Sequence, residues 1–182
     1  MQDLFGPILD DNEEIIKIFK PNKIKFFFSS VLWSVFISLG LGVIVLASMF
    51  EAFSESSNAY VQNKMPVIIF ACFVIVFVLI SFLFSCLYFK NLFYAYSNKR
   101  IIIRSGFFGI DFKSLDMSMI GAFNVNVSIL DKMLRKNTGF IKFGSMASPM
   151  NTSSMQYSFK HIEKPYEVYK EIKRAIHENK AN

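Results

Sequence analysis

No Asp, Glu, Lys, Arg or His falls between residues 26 and 50 or between 65 and 89 of this 182-residue chain. Charge-free stretches of that length exclude a solvated surface and are long enough for two bilayer-crossing helices, which need about 20 apolar residues each. The chain has only two cysteines, Cys72 and Cys86, both inside the second stretch. Fourteen positions apart on one helix they stand about 21 Å apart along its axis, so an intrachain disulfide framework is excluded and both read as small apolar fillers. A Gly-rich phosphate loop, a nucleophile motif and metal-ligand spacing are all missing, so the sequence points to no enzyme and no cofactor. The two histidines, His161 and His177, lie apart from any carboxylate cluster and read as surface or turn residues.

What is present is apolar and aromatic: 53% hydrophobic residues, 22 of them Phe. A cleaved signal sequence does not fit, because a charged arm of residues 1–25 precedes the first run, which exceeds the 7–15 residues of a signal core. The reading divides the chain into that arm, a helical hairpin over 26–89 (spans 26–50 and 65–89, loop 51–64) and a domain over 90–182. Lys17, Lys20, Lys23 and Lys25 precede the first span, and Lys90, Lys99, Arg100 and Arg104 follow the second, whereas the loop holds only Lys64. The excess of basic residues outside the loop predicts a multi-pass cell-membrane protein with both termini cytoplasmic. The net charge of +6 is concentrated in the last segment, which would attract an anionic inner leaflet.

Ser30, Ser34, Ser38 and Gly42 recur every four residues, forming one small-residue stripe along the first span. Such stripes let membrane helices approach closely, either within the hairpin or between copies in a homo-oligomer. The absence of ionisable groups in both spans argues against a pump or coupled transporter. An oligomeric small pore stays a third-rank alternative.

The arm's Ile-rich end before Pro21 predicts a short strand. Beyond residue 90, alternating segments at 94–96, 100–104, 107–115, 120–127, 139–144 and 155–160 predict an antiparallel β-barrel or sandwich. Pro165 opens a final amphipathic helix whose Val168, Tyr169, Ile172, Ala175 and Ile176 follow 3- and 4-residue steps. That stripe suits a cap on the sheet, with a membrane-surface helix as the alternative.

Tyr96 through Phe108, with its Ser97-Asn98-Lys99-Arg100 turn and Arg104-Ser105-Gly106, resembles the opening of the bacterial PH-like domain family. Met119-Ile120-Gly121, the break from Ser128 to Leu134, Gly139, and the Pro165 helix resemble its later parts, as do Glu13, Glu14 and Pro21 ahead of the spans. The resemblance implies an α+β PH-like fold joined to two membrane helices. It also implies a non-enzymatic interaction module in envelope maintenance or in immunity to membrane-active peptides. Arg135-Lys136-Asn137-Thr138 departs from the family's more apolar stretch. With Lys132 and Lys142 it forms a basic cluster, a candidate site for anionic lipid headgroups or an acidic partner. The expected partners are the lipid bilayer and a second copy or another PH-like membrane protein. Nucleic acid is set aside for want of any recognisable motif.

Overall fold

The computed structural model describes residues 4–54, 58, 64–127, 137–146 and 157–181. Strand β1, Ile15–Phe19, forms where isoleucines flank Lys17, and Pro21 ends it. Its partner is not its neighbour in sequence. It pairs antiparallel with β2, Phe93–Ser97, matching Phe19 to Tyr94 and Ile15 to Ser97. β2 turns at Asn98 and Lys99 into β3, Arg100–Ser105, which pairs with β4, Asp111–Asp116. The first sheet therefore runs β1-β2-β3-β4. The second runs β5-β6-β7, from Ile120–Asn126, Thr138–Ser145 and Ser158–Glu163.

Between β1 and β2 the chain makes two long helices, α1, Lys23–Phe53, and α2, Met65–Asn91. At 1.5 Å per residue these are about 46 and 40 Å long, enough to cross a hydrocarbon core of roughly 30 Å. Both are long and apolar enough to cross a membrane. The chain divides into two compact units, Met1–Lys23 with Tyr88–Asn182, and Ile24–Leu87. The hairpin is thus an insertion between the first two strands of a sheet, and the arm is the sheet's edge strand rather than a separate appendage.

The core of the domain is built by the facing sides of the two sheets. Tyr94, Tyr96, Ile101 and Ile103 from the first meet Ile141, Phe143, Phe159 and Ile162 from the second, all buried. The rings interlock: Tyr94 stacks on Phe159 at 4.8 Å between centroids, and Phe159 meets Phe143 edge-on at 4.9 Å. Each such side chain contributes about 1.5–3 kcal/mol on burial. Helix α3, Pro165–Ala181, closes this core with Val168, Ile172 and Ile176 buried against the second sheet. Tyr169, at the edge of the stripe, meets Phe123 edge-on at 5.7 Å.

β3 is buried on both faces, which explains its run of three isoleucines. On its outer side Ile102 and Ala95 lie beneath Phe5, which is fully buried, with Leu4, Ile8 and Leu9 around it. A single 3-10 turn, Gly6–Ile8, with Pro7 inside it, shapes this cover.

Two expectations are corrected. Residues 107–110 form a turn, not the start of a strand. Gly106 has φ 145°, and a Cβ there would run into the carbonyl of Gly109, so the chain reverses at once and β4 begins at Asp111. His161 is buried on β7 rather than exposed, its ring 5.0 Å from that of Phe140 and its φ 55°.

Candidate functional site

In the hairpin, the Ser30 hydroxyl is hydrogen-bonded to that of Ser85 on α2. Ser34 and Ser38 are buried and bond back to the carbonyls of Val31 and Val35, at 2.8 and 2.9 Å, so neither adds an unsatisfied hydroxyl. At Gly42 a Cβ would lie 2.5 Å from Cε2 of Phe70. All four small residues therefore lie at close approach or in buried positions, and Phe27 meets Phe82 at 5.4 Å nearby. Outward, α1 and α2 present Trp33, Phe36, Ile44, Ile75 and Leu83, each more than half exposed.

In the domain, the β2–β3 turn grips the acidic arm residue by residue. Glu13 has a fully buried side chain and accepts from Arg100 Nη2 at 2.7 Å and Nε at 3.0 Å. It also accepts from the Ser97 hydroxyl at 2.5 Å and from the Asp10 amide at 3.0 Å. Arg100 donates further to the Ile8 carbonyl at 2.6 Å and lies 3.3 Å from Asp10. Asn98 exchanges backbone and side-chain bonds with Glu14 and donates to the carbonyl of Asn12, and Lys99 donates to that of Asp11. Burial disfavours the Glu13 charge, but the bonds from Arg100, Ser97 and Asp10 outweigh it and hold the carboxyl below its ordinary value. The bond to Glu13 correspondingly raises Arg100. Burial pushes the Tyr94 phenol well up, so it stays neutral.

A second charged group gathers round one ring. Lys20 Nζ lies 4.6 Å from the Phe93 centroid and 5.0 Å from that of Phe89, and the Arg104 guanidinium lies 5.8 Å from Phe93. Cation–π contact stabilises each by about 0.5–1 kcal/mol where solvated. Of the basic cluster expected from sequence, Lys142 sits half-buried on β6, opposite Asn124 and Ser158. Lys132, Arg135 and Lys136 lie outside the described residues. Among the described residues no group of His, Cys, Asp or Glu could hold a metal.

The model of the bacterial PH domain matches residues 26–176, well over half of the chain. The chain belongs to the bacterial PH domain family. Comparison with curated proteins and with solved structures returned no match. The match begins after β1, yet this bacterial PH domain completes its four-stranded sheet with β1 and covers that sheet with Leu4 to Leu9. The Ser97-Asn98-Lys99-Arg100 turn that carried the resemblance is the arm's receptor. The arm's cover and the Lys20, Phe93 and Arg104 group escaped sequence reading. Only the unbroken Ile101-Ile102-Ile103 run hinted at the first.

Proposed function

We propose that this bacterial PH domain protein is a non-enzymatic, two-span membrane protein that presents its domain as an interaction module at the cytoplasmic leaflet. The observation that carries the reading is the β1–β2 pairing. A strand before the hairpin is hydrogen-bonded to a strand after it, so both strands occupy one side of any bilayer. Two apolar helices of crossing length then enter and return, since polar backbone can cross lipid only within satisfied helices or barrels. The bias of Lys and Arg outside the loop supports the cytoplasmic side.

Two connections, each only a few residues long, tether the domain to the hairpin: residues 20–22 before α1 and Leu92 after α2. Short tethers hold any partner-binding surface at a high effective concentration near the membrane. The partner in this reading is a second copy or another PH-like membrane protein, and the family likeness suggests envelope maintenance or protection against membrane-active peptides. Native mass spectrometry after mild detergent extraction tests it. A second copy or a partner at fixed stoichiometry supports the reading, and a strictly monomeric, partnerless protein counts against it.

A further inference from the structure

Among the described residues, the β3–β4 turn gathers three exposed large apolar side chains. Phe108 is 87% exposed, and Phe107 and Ile110 are about half exposed. Isolated exposed apolar residues are ordinary, but three within four positions at one tip are a patch. Gly106, at φ 145°, supplies the reversal of the turn, and Phe108 stays 87% exposed beside it.

The register fixes where this tip lies on the sheet. Phe19 pairs with Tyr94, Phe93 with Arg104, and Ser105 with Asp111. The tip therefore shares an end of the sheet with the strand that leads into α1 and the strand that leaves α2. Direct contacts agree. The Phe107 ring lies 4.8 Å from that of Tyr88 in the last turn of α2, and Asn91 Nδ2 donates to the Gly106 carbonyl at 3.2 Å. The opposite end of the same hairpin, where Arg100 pairs with Asp116, is five residues further along β3, roughly 17 Å at 3.3–3.4 Å per residue.

Cations stand behind the tip. Lys20 is exposed and Arg104 is buried between Phe93 on β2 and Phe112 on β4 in the register. The buried Arg104 Nε has no acceptor among the described residues. Asp111, Lys113 and Lys90 are the other charged groups near this end, all exposed. Aromatic rings with basic residues set behind them match the layering of a leaflet, where rings sit at headgroup depth and cations meet phosphate.

We infer that Phe107, Phe108 and Ile110 form a membrane-contact site that dips into the leaflet interface beside α2, with the exposed Lys20 facing lipid phosphate. The bilayer is the occupant because the tip is held against the last turn of a helix that runs into it. This rests on the reading that α1 and α2 cross the bilayer, and the sole tryptophan, Trp33 in α1, separates the two claims.

The full chain is reconstituted into liposomes containing brominated phospholipid, and tryptophan quenching is read in three forms. The unaltered protein reports Trp33. Trp33→Phe with Phe108→Trp reports the tip, and Trp33→Phe with Ser118→Trp reports the far end of the domain. The expected result is loss of fluorescence and blue-shifted emission for the first two and water-like, unquenched emission for the third. Quenching of Trp33 with water-like emission from position 108 overturns the contact site alone. An unquenched Trp33 overturns the spanning reading and the contact site with it. Quenching at position 118 equal to that at 108 also overturns the site, since the whole domain would then lie in the lipid.

Discussion

Breaking the Glu13–Arg100 pair should loosen the arm in a way that depends on which partner is removed. Removing one member of a buried pair costs about 3–5 kcal/mol, because the other is left without its counter-charge. The two are not equally stranded here. Without Glu13, Arg100 keeps the Ile8 carbonyl at 2.6 Å and Asp10 at 3.3 Å, and its side chain is 17% exposed. Without Arg100, the Glu13 carboxylate is fully buried with only Ser97 and an amide to hold it. Glu13→Ala should therefore cost about 3 kcal/mol, and Arg100→Ala about 5 kcal/mol, the two ends of that range. A loss of 3 kcal/mol lowers the melting temperature of a domain near 100 residues by roughly 10–20 °C. The double variant should lose less than the sum of the two. Melting in mild detergent gives the magnitudes, and hydrogen exchange should show loss of protection in the arm and in β1 first, since the bonds lost are those that dock the arm. Equal melting of all four proteins, or strict additivity of the two losses, would refute the reasoning.

Four further outcomes are expected. Because the Glu13 carboxyl is depressed in the folded state, the stability it contributes is present above the ordinary carboxylate value, about 4.3, and is lost as pH falls through its lower folded value. The advantage of the unaltered protein over Glu13→Gln should thus be flat near neutrality and vanish in acid, read from melting temperature against pH. Gly42→Ile should separate α1 from α2, since even a Cβ meets Phe70 at 2.5 Å; a cysteine pair placed on facing helix positions should then cross-link less. Ile172→Ala removes a fully buried side chain under α3 and should cost about 2–5 kcal/mol in thermal stability. Gly106→Ala forces a side chain into a left-handed φ against the Gly109 carbonyl; it should destabilise by about 1–3 kcal/mol, whereas Gly109→Ala, with open space around it, should not.

The parts that were legible in the sequence are those governed by local pattern. The two helices announce themselves because each is a long apolar run without charge, and the Ser30-to-Gly42 stripe follows from helical spacing alone. Helix α3 is readable from Pro165 and its 3- and 4-residue steps. The strands are readable from alternation, except at residues 107–110, where apolar residues continued the pattern into a turn that Gly106 imposes, and at the last strand, expected over 155–160, which runs Ser158–Glu163 and continues up to the Pro165 helix. The illegible parts are long-range. Nothing local says that Ile15–Phe19 pairs with Phe93–Ser97 across an inserted hairpin. Nor does a short aperiodic arm reveal that Phe5 will cover Ile102. The same holds for Lys20 and Arg104, which sequence counts as leaflet-facing charge and the fold brings onto a single ring.

The central claim is that α1 and α2 enter and leave the bilayer from one side, with the arm and the domain together in the cytoplasm. Single cysteines at Asn58, Asn98 and Asn12, in a Cys72→Ser, Cys86→Ser background, test it with a membrane-impermeant thiol reagent on intact cells. Position 58 should label from outside, and positions 12 and 98 only after permeabilisation. Positions 12 and 98 on opposite sides, or position 58 on the same side as both, would contradict it.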